Sequence, residues 1–225
     1  MRVLVVAATA LEIAPIVAAL GSGTSAGDAI TRYRRGDHEI DVLVTGIGMV
    51  ATAVWTSRAL VQKPYGAGLN LGLCGSFNRK LALGAAVHVV SDRISELGAE
   101  DGDAFLPLDA LSLPESGLAG TGSRIVNASP LSNDVVATLP AVDGITVNTA
   151  HGHPTSIAAV VARFHPDIES MEGAAFLSAC RAARLPCAQV RVVSNVIERR
   201  NRAAWKLEEA VAGLSVAGLR ILDSL

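Results

Sequence analysis

Short apolar runs alternate with alanine-rich helical segments along the chain, and this alternation constrains the fold more than any other feature. The runs are rich in valine and leucine, as expected of strands that helices cover on both faces. This order predicts an α/β fold, with a largely parallel sheet covered by helices. No linker separates two independent cores and no internal repeat is present, so we expect residues 1–225 to form a single domain.

The boundaries of the elements follow from the same patterns. Gly36-Asp37 predicts a tight turn that joins two strands into a hairpin. The predicted strands cover 2–8, 28–35, 38–46, 67–73, 86–91, 145–149 and 188–194, and the predicted helices cover 12–20, 48–62, 155–163, 173–184 and 203–223. Residues 92–129 are rich in Gly, Pro, Ser and Asp, which indicates a long surface loop or a lid.

The composition excludes several classes of partner. A formal net charge of −2 offers no basic surface for nucleic acid or for an anionic membrane. Glu12 and Pro15 interrupt the apolar N-terminal segment, which is too short to span a bilayer. The three cysteines form no C-x-x-C pair and leave one unpaired in any disulfide scheme, as suits a reducing compartment. We therefore expect a cytoplasmic protein that binds a small molecule.

Polar residues follow several of the apolar runs, and in α/β sheets ligands bind beyond the carboxyl ends of the strands. Glu12 could also be an ordinary charge at a helix N-terminus, and Asn195 could be a simple loop cap. Glu172 is harder to explain in this way, because its neighbours are apolar and a buried carboxylate needs partners. The candidate positions are Glu12, Gly75-Ser76, Glu172 and Ser194-Asn195.

Glu172 suits the recognition of a sugar. A fixed carboxylate that accepts two hydrogen bonds matches the 2′ and 3′ hydroxyls of ribose, and the small residues after it let a sugar approach the backbone. Met171 offers a soft apolar surface to the ribose face. These residues indicate a nucleoside ligand.

Two other motifs carry less weight. Gly46-Ile47-Gly48 lacks the third glycine of a dinucleotide-binding loop, so we interpret it as a tight turn between a strand and a helix. His151 and His153 have no third metal-ligating residue at a suitable spacing, which makes a zinc site a poor interpretation. We expect neither a metal nor a cofactor.

In chain order the segments GIGMVATA, LNLGLCGSF, SMEGAAF and VRVVSNV resemble the nucleoside phosphorylase and nucleosidase superfamily over nearly the whole length. The resemblance implies a three-layer α/β/α subunit with a central twisted mixed sheet, assembled as a homodimer or larger homo-oligomer. The phosphorylases carry phosphate-binding arginines in two loops, and the matching stretches AATALEIAP and NLGLCGS contain none. Hydrolysis is therefore favoured over phosphorolysis.

The resemblance also implies roles for three residues. Glu12 matches the glutamate that activates water for attack on the anomeric carbon, and Glu172 matches the carboxylate that binds ribose. Asn195 stands where the adenosine-type nucleosidases have an aspartate. An asparagine side chain can donate to a 6-oxo group but cannot transfer an acidic proton, so a 6-oxopurine such as hypoxanthine fits better.

The segment SNVIERRNRAAWK, with MRVLVVAATALEIAP and VNTAHGH, is similar to the futalosine hydrolase family, whose substrate carries hypoxanthine and a carboxyphenyl tail. Such a tail suggests Arg199, Arg200 or Arg202 and Trp205 as partners, although arginines of this kind often face solvent. Phe105 could cover the base or the tail. The alternatives are a methylthioadenosine/S-adenosylhomocysteine nucleosidase, a 6-oxopurine nucleoside phosphorylase, and a nucleoside-binding protein without catalysis.

Overall fold

The computed structural model describes residues 1–27, 29–111 and 123–225. The strands are β1 (Arg2–Ala7), β2 (Thr24–Gly27), β3 (Ile30–Arg35), β4 (His38–Val44), β5 (Ala67–Ser76), β6 (Ala86–Ile94), β7 (Gly98–Asp101), β8 (Ala104–Pro107), β9 (Arg124–Val126), β10 (Ala141–Thr146), β11 (Ile168–Ser170) and β12 (Cys187–Val196). The α-helices are α1 (Ala10–Leu20), α2 (Met49–Gln62), α3 (Asp134–Thr138), α4 (Pro154–Phe164), α5 (Gly173–Ala182) and α6 (Leu207–Asp223).

The central sheet is mixed, with the strand order β11-β10-β6-β12-β5-β1-β4-β3-β2. Its middle strands β12, β5, β1 and β4 are parallel, whereas β12 pairs with β6 in the antiparallel sense. The end of β5 also pairs with β11, so the strands β5, β11, β10, β6 and β12 form a closed ring at one side of the sheet. β5 therefore belongs both to the ring and to the open part of the sheet.

Side chains of β1 alternate between the two helical layers. Val3 and Val5 belong to the core cluster that contains Ile16 of α1 and Leu214 of α6. Leu4 and Val6 face the opposite cluster, which contains Phe176, Leu177 and Cys180 of α5 and Ala59 of α2. Since successive residues of a strand point to opposite faces, this pattern places the sheet between two layers of helices. The predicted three-layer α/β/α fold with a mixed sheet is confirmed.

Most of the predicted elements are present, some with different ends. The hairpin is correct: β3 and β4 pair from Arg35 and His38 around Gly36, whose φ of 56° favours glycine. The last helix begins at Leu207 rather than at residue 203, after a single 3-10 turn. The strand predicted over 145–149 runs from Ala141 to Thr146 instead. Asp28, at the start of the strand predicted over 28–35, lies outside the described residues.

The prediction of one long loop over 92–129 is wrong for the described residues of that segment. β6 extends to Ile94, β7 and β8 form a hairpin, and β9 pairs with β6. Within this hairpin position 98 has to be glycine, because a Cβ there would lie 2.1 Å from the carbonyl oxygen of Leu106. Residues 112–122 of the predicted loop or lid lie outside the described residues.

Candidate active site

A cavity of about 370 Å³ opens where β1, β5, β11 and β12 end, which is the edge that the sequence predicted for a ligand. Each strand contributes the residues at its end or just beyond it. The polar residues of the lining are Thr9, Glu12, His151, Glu169, Ser170, Glu172, Ser194, Asn195, Glu198, Arg200 and Asn201. Its size suits a small organic ligand.

Glu12 is fixed by the turn that starts α1. Its Oε2 accepts hydrogen bonds from the backbone N of Thr9 at 3.0 Å and from Thr9 Oγ1 at 2.8 Å, while Thr9 Oγ1 caps the backbone N of Glu12. This reciprocal pair is a capping box. The other oxygen, Oε1, accepts from the backbone N of Leu73 in β5 at 3.0 Å. The carboxylate is only 8% exposed and is held by donors on both of its oxygens.

Glu172 is the N-cap residue of α5 and makes no capping bond with its own side chain. Its Oε1 accepts instead from the backbone N of Gly48 at 3.1 Å, where Gly48 adopts a φ of 99° at the start of α2. The predicted tight turn at Gly46-Ile47-Gly48 is therefore present, and it also supplies a donor to Glu172. Oε2 lies 3.4 Å from Nη1 of Arg191, which is completely buried.

Arg191 lies close to both carboxylates. A Cβ at Gly72 would lie 2.2 Å from Arg191 Nη1 and 3.1 Å from Glu12 Oε1. Only glycine at position 72 leaves room for the guanidinium group to reach this space. A buried arginine is costly unless its donors are bonded, and Arg191 also donates from Nε to Gln189 Oε1 at 3.1 Å and from Nη2 to Asn70 Oδ1.

A second hydrogen-bond network, which contains Asp92, reaches Arg191 through Gln189. Asp92 accepts from Gln189 Nε2 at 3.0 Å and from Thr146 Oγ1 at 2.8 Å, and Thr146 Oγ1 in turn accepts from the backbone N of Ala174 in α5. Burial raises the pKa of the Asp92 carboxyl from its ordinary value of 3.8 to about 6, although these hydrogen bonds oppose the shift. The network connects β6, β10, β12 and α5 beneath the cavity.

Asn195 lies at an irregular point of β12. The register between β12 and β5 shifts between Val193 and Asn195, so that both Ser194 and Asn195 line the cavity. Ser194 Oγ lies 2.8 Å from Asn195 Oδ1 and 3.1 Å from the carbonyl oxygen of Cys74. Asn195 Nδ2 donates to the carbonyl oxygen of Val196 at 3.2 Å, so the orientation of the amide is defined on both sides.

His151 and Glu169 form a pair on the opposite wall. Nδ1 of His151 makes a short hydrogen bond to Glu169 Oε2, and the backbone N of His151 donates to Oε1 at 3.0 Å. The edge of the His151 ring also contacts Phe77 at a centroid distance of 6.2 Å. Both His151 and Glu169 line the main cavity, and His151 also lines a neighbouring cavity of about 320 Å³.

The structure brings most of the predicted site residues together. The members that line the main cavity are Glu12, Met171, Glu172, Gly75, Ser194, Asn195 and Trp205. Ser76 is buried beneath it and donates to the carbonyl oxygen of Asn78 at 2.9 Å. Phe105 lines the neighbouring cavity, with the Arg163 guanidinium 4.1 Å from its ring centroid. Arg199 is exposed and lines neither cavity, whereas Arg200 lines the main one and lies 5.3 Å from the Trp205 ring.

Arg191, His151 and Glu169 were not among the predicted site residues. The sequence contains a signal for Arg191, because it is a charged residue within the apolar run AQVRVV and a buried charge requires partners. Glu169 belongs to a strand of three residues, too short for its period to be recognised. His151 was considered only as a metal ligand. In the part of the chain that the structure describes, no group of three or more His, Cys, Asp or Glu residues could hold a metal ion.

A profile of the Phosphorylase superfamily matches residues 2–223. The futalosine hydrolase of Thermus thermophilus is 32% identical over 186 residues, which cover 80% of each chain. This chain belongs to the futalosine hydrolase family of the Phosphorylase superfamily. The futalosine hydrolase of Streptomyces coelicolor is 30% identical over 191 residues, covering 79% of this chain and 76% of that protein.

Solved structures agree with this family in fold. Futalosine hydrolase of Helicobacter pylori superposes with a TM-score of 0.83 at 17% identity, over 100% of this chain and 98% of that one. A 5′-methylthioadenosine/S-adenosylhomocysteine nucleosidase from Colwellia psychrerythraea, solved with adenine, gives a TM-score of 0.82 at 21% identity, over 100% and 96% of the chains. At these identities the likeness shows the fold alone, and substrate preference has to be argued from this chain's own cavity.

Proposed function

We propose that the protein hydrolyses the N-ribosidic bond of futalosine, giving hypoxanthine and dehypoxanthine futalosine, a step in an alternative route to menaquinone. The main support for this proposal is that Glu12, Glu172 and Asn195 line one cavity in a member of the futalosine hydrolase family. A protein that only bound nucleosides would have no need for a buried carboxylate aligned as Glu12 is.

Glu12 activates the water. Donors from Thr9 and Leu73 fix both oxygens, so the carboxylate is oriented before substrate arrives and its remaining lone pairs can accept a water proton. As the base departs, positive charge develops on the sugar, and a carboxylate nearby stabilises it. Arg191 pairs with Glu172 and also approaches Glu12 beside Gly72, so it places a positive charge near both carboxylates in a buried site.

Glu172 and Met171 hold the ribose. The Gly48 N–H and Arg191 fix the Glu172 carboxylate from behind, leaving it able to accept from the 2′ and 3′ hydroxyls. Met171 lies beside it in the lining and supplies an apolar surface to the sugar. Together they align the anomeric carbon with the water that Glu12 holds.

Asn195 selects the base. Ser194 lies against its amide oxygen and one Nδ2 hydrogen is bonded to the carbonyl oxygen of Val196, so the second Nδ2 hydrogen is the one available to donate to a 6-oxopurine. Arg200 and Trp205 line the same cavity, and a cation near an aromatic ring suits the carboxyphenyl tail. Arg199, which lies outside the cavity, has no role in this arrangement, and Phe105 could reach only a ligand that extends into the neighbouring cavity.

The decisive experiment is to incubate the purified protein separately with futalosine, 5′-methylthioadenosine and inosine, each with and without phosphate, and to identify the released base. We expect hypoxanthine from futalosine at the highest rate and no requirement for phosphate. Adenine from methylthioadenosine as the best reaction would favour the related nucleosidase. A strict requirement for phosphate would favour a phosphorylase.

The protein is also proposed to act in the cytoplasm as a homodimer or larger homo-oligomer. Among the described residues, no helix is both long and apolar enough to cross a membrane. The three cysteines are buried and free, in keeping with a reducing compartment.

A further inference from the structure

We propose that His151, held by Glu169, is the general acid that protonates the departing hypoxanthine. The proposal rests on the proposed function, because it assigns a step of the same reaction. It answers a chemical need that the other cavity residues leave unmet: a purine leaves more easily when it is protonated, and the amide of Asn195 has no acidic proton to give.

The backbone register places this pair opposite Asn195. Glu169 in β11 pairs with Gly75 in β5, and Gly75 pairs with Asn195 in β12, so the three residues form one row across the sheet. Neighbouring strands lie about 4.8 Å apart and these strands belong to the closed ring, so the backbones of Glu169 and Asn195 are separated by less than about 10 Å. The middle position is a glycine: a Cβ there would lie 2.8 Å from Ile197 Cγ1 and 3.2 Å from Asn195 Nδ2. The side chains of Ile197 and Asn195 therefore fill the space beside this glycine, and a base bound in the main cavity would lie between walls that include both His151 and Asn195.

The hydrogen bonds of the pair occupy one ring nitrogen of His151 and leave the other free. Glu169 accepts through both oxygens, from the backbone N and from Nδ1 of His151, so Nδ1 carries a proton. Nε2 is then the atom that exchanges a proton, and no hydrogen bond to Nε2 occurs within the described residues. Glu169 also neutralises the charge of the protonated ring, as a carboxylate does when it orients a catalytic histidine.

The N9–C1′ bond breaks and its electron pair passes into the purine, while the proton on Nε2 of His151 moves to N7 of the base. The water oxygen bonds to C1′ and its proton passes to Glu12. Neutral hypoxanthine leaves, after which Glu12 releases its proton to solvent and His151 takes one up. The net reaction consumes one water and no other reagent.

The test compares two substrates in His151→Ala, His151→Gln and Glu169→Gln. One is futalosine, and the other is futalosine methylated at N7, whose base is already cationic and needs no proton. We expect kcat for hypoxanthine release from futalosine to fall about 100-fold or more in both His151 variants and about tenfold in Glu169→Gln. The rate on the N7-methylated compound relative to futalosine should rise at least about 30-fold in the His151 variants, because only futalosine needs the acid.

His153→Asn is the matched control. His153 is exposed, lies outside the cavity, and caps α4 by accepting from the backbone N of Thr155, which asparagine can also do. Its rates should equal those of the wild type. His151 variants that lose both substrates equally, or that keep futalosine turnover within threefold, overturn the acid role while leaving the hydrolase function intact. A wild-type protein that releases no hypoxanthine from futalosine would instead refute the proposed function.

Discussion

At the scale of single residues, the two glutamates of the cavity resemble each other in burial but differ in their surroundings. Glu12 accepts only from uncharged groups, Thr9 at the start of its helix and the backbone N of Leu73 in β5, whereas Glu172 accepts from Gly48 and from the charged Arg191. Glutamine in place of Glu12 therefore removes the chemistry without breaking an ion pair of the described residues. Substitution at Glu172 would also leave a buried arginine without its partner.

Glu12→Gln tests the water-activating role. Glutamine can complete the capping box at this position, so the fold should be preserved, but it cannot take a proton from water. We expect kcat to fall at least about 100-fold while the Kd for hypoxanthine changes less than about threefold, measured by steady-state kinetics and calorimetry. Glu208→Gln, an exposed position in the first turn of α6, is the control. Full activity in Glu12→Gln would exclude Glu12 as the base.

Asn195→Asp tests base selection. An ionised aspartate removes the donor that faces a 6-oxo group and provides an acceptor for a 6-amino group. The ratio of kcat/KM for methylthioadenosine to that for futalosine should rise about tenfold or more, as expected when a polar group of the site is left without its partner. Asn201→Asp places the same charge elsewhere on the cavity lining and should leave the ratio unchanged. An unaltered ratio in Asn195→Asp would show that other residues choose the base.

At the scale of elements, the sequence predicted the long buried strands and the helices well, because apolar periodicity is strong in segments of six or more residues. It missed β11 and placed β10 too late, since Asp143 and Gly144 interrupt the apolar pattern of β10. The same limit affected the prediction of the site residues. Residues at the end of a long strand or just beyond it, such as Asn195 in β12 and Glu12 after β1, could be found. The network through Arg191 could not, because it depends on which strands become neighbours.

Asp92 makes the stability of this network depend on pH. Burial raises its pKa in the folded protein to about 6, against 3.8 for an ordinary aspartate, so the folded protein binds the extra proton between these values. Its contribution to the free energy of unfolding is therefore full below about pH 4 and is lost as the pH rises through 6. The free energy of unfolding of wild type and Asp92→Asn is measured in urea at pH 4 and at pH 7. Between pH 4 and pH 7, the variant should gain stability relative to wild type by on the order of 2 kcal/mol.

Asp143→Asn is the control for that measurement. Asp143 is exposed on β10, one strand away, and its carboxylate pairs with Arg124 at the surface. The loss of unfolding free energy in Asp143→Asn relative to wild type should not become smaller as the pH rises from 4 to 7. A constant difference between wild type and Asp92→Asn over this range would show that Asp92 titrates in the folded state as it does in the unfolded chain.

At the scale of the whole molecule, α2 exposes an apolar stripe next to the cavity. Val50, Val54 and Val61 are 74%, 57% and 88% exposed, at spacings that put them on one side of the helix. Ile47, which precedes α2, and Leu11 of α1 are each 63% exposed and line the cavity. Contiguous apolar surface of this kind is typical of an interface between proteins.

We expect this stripe to pair two copies of the chain. Light scattering on the wild type should give twice the mass of one chain, and Val54→Glu should give a single chain with reduced turnover, because the stripe adjoins the cavity. Val216→Glu on α6, 60% exposed and outside the stripe, should leave both mass and turnover unchanged. A wild-type mass of one chain would contradict the expectation.

The position of β12 has a consequence for biosynthesis. β5 ends at Ser76 and β6 at Ile94, yet the strand that lies between them begins only at Cys187. A growing chain therefore carries Glu12 and Leu73 long before it holds Arg191 and Asn195, and strand pairings this distant in sequence form late. Any product that terminates before Cys187 lacks both the floor and one wall of the cavity. We therefore expect a fragment that ends before Cys187 to be inactive, because it lacks both Arg191 and Asn195.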